Sequence, residues 1–278
     1  MINASVSVSS ISHQEYLDFS IFLEKSCGIV LGENKQYLVD SRLKRLLIEN
    51  GLNTLGDLVT QLKAGHNRLL REHTIDAMTT NETSWFRDNF PYTALSDMIL
   101  PGIISTGKKN IRIWSSACSS GQEPYSISII IDECRGLFAN LKAEIMATDI
   151  SPTMLRSARE GVFDSLSIAR GLSDSRKSKY FKQVANSWAI NSDLKNNISF
   201  KEVNLQSSFN SLGKFDVIFC RNVLIYFSLP LKQDIIHRMS QCLNPGGYLI
   251  LGGTESALNY SGEFVPVRHQ NGILYKKT

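Results

Sequence analysis

Residues 81–90, NETSWFRDNF, place an amide, an acid and a hydroxyl directly before two large rings and a guanidinium. A planar guanidinium can hold a carboxylate through two parallel hydrogen bonds, so Arg87 is a candidate for orienting an acidic group. Trp85 and Phe86 have two possible uses, packing in the core or stacking on a planar base, and core packing is favoured. What this stretch does chemically therefore depends on the elements that surround Arg87.

A second polar stretch follows the first predicted strand, IRIWSSAC at 111–118. The loop ACSSGQEP contains a single glycine, so it lacks the GxGxxG pattern that lets a backbone approach a pyrophosphate, and a dinucleotide is disfavoured. S-adenosylmethionine carries no phosphate and suits such a loop. Asp149 ends the second predicted strand, EIMATDI at 144–150, where an acidic residue can accept hydrogen bonds from two ribose hydroxyls.

Each of these residues also has an ordinary structural use. Asp149 could cap the next helix, and Glu123 could complement the dipole of the helix that begins after the loop. Tyr226 could be a buried ring with a satisfied hydroxyl. Cys118 and Cys220, at predicted strand ends, are expected to be small buried residues rather than reactive thiols.

Composition limits the protein class. The chain has 278 residues, 42% hydrophobic and 20% charged, with a net charge of +4. These values are typical of a folded globular protein and fall short of a nucleic-acid-binding signature. The five cysteines include no CxxC pair and the five histidines share no ligand spacing, so no disulfide framework or metal site is predicted. The chain start lacks a signal-peptide pattern, no run approaches the ~18 apolar residues that span a membrane, and a cytoplasmic location is expected.

Up to about residue 80 the apolar residues recur at helical spacing. Four amphipathic segments follow one another, with predicted stops at Gly28 and Gly51 and a predicted cap at Thr54. They predict a small helical domain.

After Pro101 apolar strands alternate with amphipathic helices, which is typical of a parallel sheet covered on both faces. Ser151 is predicted to cap one helix and Gly161 to end it. The segment from Gly161 to Ile198 is too long for one crossover helix, and its partial alternation predicts a small antiparallel insertion. The remaining predicted elements are strands at 198–205 and 214–220, a helix at 229–243, a turn at PGG (245–247), and strands GYLILGG and GILYKK.

Several motifs occur in an order and spacing that resemble the CheR family of chemotaxis receptor glutamate methyltransferases. They are TTNETSWFR, RIWSSACSSGQEPYS, ATDIS, the VNL of FKEVNL, FDVIFCRNVLIYF and LNPGGYLILGGTES. The resemblance covers about residues 15–275. It implies an α/β fold with a Rossmann-like S-adenosylmethionine-dependent methyltransferase sheet, an N-terminal all-helical domain and a small antiparallel β insertion.

The same resemblance implies a domain organisation and a reaction. Residues 1–80 would be a helical receptor-docking domain and linker, and 81–278 the methyltransferase domain, with the β insertion at about 176–202. The enzyme would transfer the methyl group of S-adenosylmethionine to receptor glutamates, giving glutamate methyl esters and S-adenosylhomocysteine, and no metal would take part.

The resemblance also implies roles for individual residues. Arg87 and Tyr226 would flank the reacting groups, and the resemblance leaves open whether Arg87 holds the methionine carboxylate of the cofactor or the incoming glutamate. The implied cofactor-binding residues are Asn81, Thr83, Arg87, Glu123, Asp149, Asn204, Leu205, Arg221 and Asn222. Arg42, Lys44 and Arg45 would dock the acidic cytoplasmic helical hairpin of chemoreceptors, although a short charge run can also simply solvate a helix.

The predicted insertion departs from the family. Many relatives bind a pentapeptide tethered at the receptor C-terminus by adding it as a strand beside a glycine-containing loop of the insertion. Here 183–197, QVANSWAINSDLKNN, is short and has no glycine. Binding of the tethered pentapeptide is therefore predicted to be weak or absent. Two alternative functions stay open at this point: methyl transfer to another substrate, and a non-catalytic cofactor-sensing module.

Overall fold

The computed structural model describes residues 9–137, 141–257, 262–270 and 272–278. Residues 1–8, part of the chain start for which no signal peptide is predicted, lie outside the described residues. The chain divides into two compact units. The described residues up to Thr80 form the first unit together with Tyr226–Leu231, and the second unit comprises the described residues of Asn81–Ile225 and Lys232–Thr278.

The described residues up to Thr80 form four helices, as the helical spacing predicted. They are α1 (His13–Cys27), α2 (Gln36–Glu49), α3 (Leu55–Ala64) and α4 (Arg68–Met78). Thr54 caps α3 by accepting a hydrogen bond from the Asp57 amide, and Gly28 ends α1 at φ +81°, in the left-handed region that glycine tolerates. The helices bury Phe19, Leu43 and Leu58 completely.

Arg42 on α2 holds the end of α4. Its Nη1 donates to the carbonyl oxygens of Met78 at 2.7 Å and Thr79 at 3.1 Å, and its Nη2 donates to Thr80 Oγ1 at 2.9 Å. The last carbonyls of a helix have no partner within the helix, and a cation beside them also complements the helix dipole. Arg42 therefore has a structural use, whether or not it also contacts a partner.

Replacing Arg42 by alanine is expected to lower the free energy of unfolding by about 1–2 kcal/mol, because these carbonyls lose a charged donor. Urea unfolding followed by circular dichroism measures the change. Lys44→Ala, on the exposed side of the same helix, is the matched control and is expected to change stability by less than about 0.5 kcal/mol. Equal losses in the two variants would show that the Arg42 contacts contribute nothing.

The second unit alternates strands and helices after a helical entry. The entry is α5 (Phe90–Ala94), a π-helical turn (Leu95–Ile99) and α6 (Leu100–Ser105). The helices that follow are α7 (Gln122–Glu133), α8 (Pro152–Glu160), α9 (Ser165–Ala169), α10 (Asp174–Tyr180), α11 (Ser192–Lys195) and α12 (Leu229–Cys242), of which α12 begins in the part of the chain assigned to the first unit. The strands are β1 (Asn110–Ser116), β2 (Lys142–Asp149), β3 (Val162–Asp164), β4 (Phe181–Val184), β5 (Ser187–Ile190), β6 (Ile198–Glu202), β7 (Phe215–Cys220), β8 (Leu243–Leu251), β9 (Phe264–His269) and β10 (Gly272–Lys277).

Seven of these strands form one sheet in the order β6-β2-β1-β7-β8-β10-β9. The pairs from β6 to β8 are parallel, whereas β10 and β9 are antiparallel to their neighbours. The strand order changes direction at β1, which has β2 on one side and β7 on the other. Ligands in open α/β sheets bind at the carboxyl ends of the strands beside such a switch point. This topology confirms the predicted fold class, and a ligand site is expected at the carboxyl end of β1.

The predicted antiparallel insertion is present as a three-stranded sheet in the order β3-β5-β4. Two of its strands, β4 and β5, lie within the expected range of about 176–202. β3 lies before that range, and β6, inside it, pairs with β2 in the large sheet. A strand as short as Val162–Asp164 carries too few residues for alternation to reveal it.

The prediction that PGG turns the chain at 245–247 is wrong, because these residues lie within β8. Leu243 and Tyr248 on β8 pair with Phe215 and Val217 on β7. Strand β8 therefore has extra residues between these two pairs, and they form an irregular bulge. A Cβ at Gly247 would lie 2.9 Å from the carbonyl oxygen of Asp216, so glycine permits the close approach. Strand β9 was not predicted.

Among the described residues, no helix combines the length and apolar character needed to cross a membrane.

Candidate functional site

The loop between β1 and α7, residues 117–121, contains three residues with a left-handed backbone. They are Ala117 at φ +54°, Ser119 at +49° and Gly121 at +97°. The Cys118 amide donates to the Thr148 carbonyl oxygen at 2.9 Å, which ties the loop to the end of β2. A Cβ at Gly121 would lie 3.0 Å from the Ala158 Cβ on α8, so the single glycine of the loop sits where the chain approaches a helix closely.

Asp149 joins this loop to the next one. Its Oδ2 accepts the Ser119 amide at 2.8 Å and its Oδ1 accepts the Ser151 amide at 2.9 Å. The cap of α8 is Ser151, whose Oγ accepts the Met154 amide at 3.0 Å. Asp149 is therefore a buried carboxylate at the carboxyl end of β2, and capping of α8 falls to Ser151, as predicted.

Glu123, in the first turn of α7, forms a buried ion pair with Arg221 at the end of β7. Its Oε2 lies 3.0 Å from Arg221 Nη1, and its Oε1 accepts Ser115 Oγ at 2.7 Å. The Arg221 side chain is only 2% exposed and that of Glu123 12%. Burial raises the pKa of the Glu123 carboxyl, and the Arg221 guanidinium opposes part of that rise. Burial disfavours the charged form of Arg221, but the nearby carboxylates favour it, and the pKa of Arg221 is raised above its ordinary value.

Arg221 also fixes the backbone at Arg87. Its Nη2 donates to the Arg87 carbonyl oxygen at 2.7 Å and to Asp88 Oδ2 at 2.6 Å. The turn is strained, since Phe86, Asp88 and Asn89 have φ values of +48°, +66° and +47°. The Arg87 side chain is half-buried, with Nη1 3.1 Å from the Glu82 carbonyl oxygen. One buried guanidinium thus links Arg87, through its backbone, to Glu123.

The ring side chains of this stretch are core residues, as predicted. The Trp85 ring packs edge-on against Phe163 at 4.9 Å and Phe181 at 5.1 Å, both in the small sheet. The Trp85 amide donates to the Arg170 carbonyl oxygen at 2.9 Å. A Cβ at Gly171, where φ is +98°, would overlap the Trp85 carbonyl oxygen. The insertion therefore supports the segment that carries Arg87.

Four other residues implied by the resemblance lie on neighbouring loops. The Asn81 carbonyl oxygen accepts Ser119 Oγ at 3.0 Å, which brings the start of the 81–90 stretch to the β1–α7 loop. Thr83 is half-buried. Asn204 and Leu205 follow β6, where Asn204 Oδ1 accepts the Gln206 amide at 3.0 Å and the Leu205 carbonyl oxygen accepts Arg238 Nη2 at 2.7 Å.

The remaining two implied residues follow β7. Asn222 has φ +56°, and its amide donates to Glu255 Oε2 at 2.8 Å. Tyr226 belongs to the first unit, where its carbonyl oxygen accepts the Val30 amide at 2.9 Å. Of the predicted site residues, the structure joins Asn81, Glu123, Asp149 and Arg221 with the Arg87 backbone in one set of hydrogen-bonded loops.

Sequence reasoning missed three residues that hold this set together: Ser115, Asp88 and Glu255. Ser115 lies on a strand that was recognised only by its apolar pattern, and Asp88 is one residue past the candidate arginine. For Glu255 a signal existed, because this acid follows the predicted strand GYLILGG with only Thr254 between them, and successive amides of nearby loops can bind an anion.

The cysteines at the strand ends are buried, as predicted. Cys118 is 1% exposed and Cys220 is fully buried. Burial raises the pKa of both thiols, so the thiolate form that reacts with electrophiles is disfavoured. Within the part of the chain that the structure describes, no group of three or more His, Cys, Asp and Glu side chains is placed to hold a metal ion.

The residues present fit S-adenosylmethionine. The β1–α7 loop at the switch point has one glycine and offers no phosphate-binding turn, while the Asp149 carboxylate lies beside it, as recognition of a ribose requires. Each oxygen of a carboxylate can accept more than one hydrogen bond, so this type of group can bind loop amides and ribose hydroxyls together.

Two family models match this chain over most of its length. A family model described as "CheR methyltransferase, SAM binding domain" matches residues 81–273, and one described as "CheR methyltransferase, all-alpha domain" matches 14–79. The chain is 47% identical over 272 residues to "Chemotaxis protein methyltransferase Cher2" of Pseudomonas putida, covering 96% of this chain and 99% of that protein. It is 48% identical over 272 residues to a "Chemotaxis protein methyltransferase" of Vibrio parahaemolyticus, covering 96% and 98%.

Proposed function

Because the chain belongs to the CheR methyltransferase family, we propose that it transfers the methyl group of S-adenosylmethionine to glutamate side chains of chemoreceptors, giving methyl esters and S-adenosylhomocysteine. This modification would adjust receptor signalling during chemotactic adaptation. The enzyme would act in the cytoplasm, on the helical hairpin of the receptor.

The observation that supports the proposal best is the convergence of loops at the switch point of the sheet. The β1–α7 loop, the end of β2 and the Arg87 turn are bonded to one another through Ser119, Asp149 and Arg221. This is the edge where an α/β sheet binds its ligand. The cofactor would lie against Asp149 and the β1–α7 loop, with Asn81, Thr83, Asn204, Leu205 and Asn222 as further wall residues.

Methyl transfer to a glutamate carboxylate requires alignment of the two reacting groups rather than removal of a proton. When bound, the cofactor supplies an electrophilic methyl group on a positively charged sulfur. A glutamate with an ordinary carboxyl pKa is ionised at neutral pH, so no general base is required. Arg87 would orient a carboxylate through its guanidinium, and Tyr226 would flank the acceptor. The Glu123–Arg221 pair would keep the Arg87 turn in place.

Docking of the receptor would use the exposed side of α2. Lys44 and Arg45 are exposed there, and Arg45 has an i,i+4 ion pair with Glu49 at 2.6 Å. Such an exposed pair contributes little to stability and can be exchanged for an acidic partner. Attraction between these cations and acidic receptor helices would weaken as salt is added. Arg42 would contribute mainly by holding the end of α4.

A direct test is transfer of tritiated methyl from S-adenosylmethionine to a panel of receptor cytoplasmic fragments. Labelling that is released by mild base as methanol would identify a carboxyl ester. The control is a fragment in which the labelled glutamates are replaced by alanine. Label that resists base, or that appears on no receptor fragment, would contradict the proposed reaction.

The insertion is expected to bind a tethered receptor pentapeptide weakly or not at all. Strands β4 and β5 are joined by Ala185 and Asn186 alone, with Ala185 at φ +50°, so the connection is a tight hairpin without glycine. Strand addition also uses pockets for alternate side chains, and each strand of this hairpin has only four residues to build them. Isothermal titration calorimetry with the pentapeptide is expected to show no heat of binding at micromolar concentrations, and micromolar affinity would refute the prediction.

A further inference from the structure

Glu255, which follows β8, accepts hydrogen bonds from four backbone amides. Its Oε2 accepts the amides of Asn222 and Gly252, each at 2.8 Å. Its Oε1 accepts the amides of Leu224 at 2.8 Å and Val223 at 3.1 Å. The Glu255 carboxylate therefore accepts hydrogen bonds from three consecutive amides of the turn after β7 and from one amide directly after β8.

These contacts join two strand ends that side chains would otherwise keep apart. A Cβ at Gly252 would lie 2.7 Å from both Asn222 Nδ2 and Glu255 Oε2 and 3.0 Å from the Asn222 backbone nitrogen, so a larger residue would displace the carboxylate or the turn. Asn222 has φ +56°, in the left-handed region that asparagine adopts more readily than most other residues. Successive amides that point to one side form a concave site for an anion, and here the anion is supplied by the protein itself.

The turn that Glu255 holds begins at Arg221. Arg221 in turn bonds Glu123, Asp88 and the carbonyl oxygen of Arg87. We infer that Glu255 is a positioning residue: it fixes the backbone of 222–224, and through Arg221 it sets where Glu123 and Arg87 lie. This inference rests on the proposed function for its effect on catalysis, whereas its effect on the turn can be measured without any substrate.

Hydrogen exchange measured by mass spectrometry on the full chain tests the turn. In Glu255→Gln the side chain keeps its size but loses its charge and one acceptor oxygen, so exchange of the 222–224 amides is expected to accelerate at least tenfold. Glu144→Gln is the matched control, because that carboxylate is exposed and pairs only at the surface with Arg112. Gly252→Ala alters the same junction at the end of β8 without changing Glu255, and it is expected to reproduce the acceleration.

Cofactor affinity and turnover test whether Glu255 affects the site through this turn. Affinity for S-adenosylhomocysteine, measured by calorimetry, is expected to fall about tenfold in Glu255→Gln, and turnover in the methyl-transfer assay is expected to fall further. Glu255→Asp, which keeps the charge on a shorter side chain, is expected to recover part of both. Unchanged exchange of the 222–224 amides, or faster exchange with unchanged affinity and turnover, would overturn the inference. If the wild-type chain fails to methylate any receptor, the proposed function fails, while the exchange and affinity results still decide the role of Glu255.

Discussion

Replacing Arg87 by alanine is expected to lower the rate of methyl transfer about 10²–10³-fold, the effect of removing one charge-stabilising or orienting donor from an active site. The fold should survive, because the Arg87 side chain is half-buried and its hydrogen bond to the Glu82 carbonyl oxygen is at the surface. Arg221 bonds the backbone of residue 87, which alanine retains. Initial rates with tritiated cofactor, together with urea unfolding, measure both effects.

Arg87→Lys is the matched control, since it keeps the positive charge and loses the planar fork, and an intermediate rate is expected. The same variants decide what Arg87 holds. If it holds the methionine carboxylate of the cofactor, affinity for S-adenosylhomocysteine falls in Arg87→Ala. If it holds the receptor glutamate, that affinity is unchanged and the KM for the receptor rises. Undiminished labelling of the receptor would remove Arg87 from the mechanism.

The largest loss of stability is expected from Arg221→Ala, at roughly 3–5 kcal/mol. Removing one partner of a buried ion pair leaves the other charge without compensation, and Glu123 would be that charge. The variant also removes the donors to Asp88 and to the Arg87 carbonyl oxygen, so methyl transfer should be lost with it. Arg45→Ala, whose side chain is 89% exposed, is the control for stability and is expected to cost less than about 0.5 kcal/mol.

The loss in Arg221→Ala should depend on pH with a definite sign. The pKa of Glu123 in the folded protein is raised by burial above its ordinary value of 4.5, and removing Arg221 raises it further. A raised carboxyl pKa means that the folded state binds the proton more tightly than the unfolded state, so stability falls as pH rises from 4.5 through the folded pKa. The difference between variant and wild type should therefore be larger at neutral pH than near pH 4.

The measurement is urea unfolding of both proteins across this pH range. A double variant that combines Arg221→Ala with Glu123→Gln is measured in the same way. Adding Glu123→Gln to Arg221→Ala should restore part of the stability at neutral pH, because no uncompensated charge remains. A loss that is the same at every pH, or that Glu123→Gln does not relieve, would mean that the ion pair is not what Arg221 contributes.

Local signals in the sequence determined the helices and most strands. Thr54, Ser151, Gly28 and Gly161 cap or end helices by bonds and backbone angles that reach only a few residues along the chain. Alternation of apolar strands with helices likewise indicated a parallel sheet covered on both faces. It also placed Glu123 and Asp149 at the carboxyl edge of the sheet, because the end of a strand is where a side chain can face a ligand.

The tertiary structure decided which of these residues meet. Arg221 contacts Glu123 and the backbone of Arg87 across 98 and 134 residues of sequence, and Glu255 reaches the 222–224 turn from another strand. The same holds for Arg42, whose charge suggested a docking surface and whose hydrogen bonds hold the end of α4. A charge pattern shows that a residue can form such bonds. The partner depends on the packing of distant elements, because a buried charge must find its counter-charge and donors wherever the fold brings them.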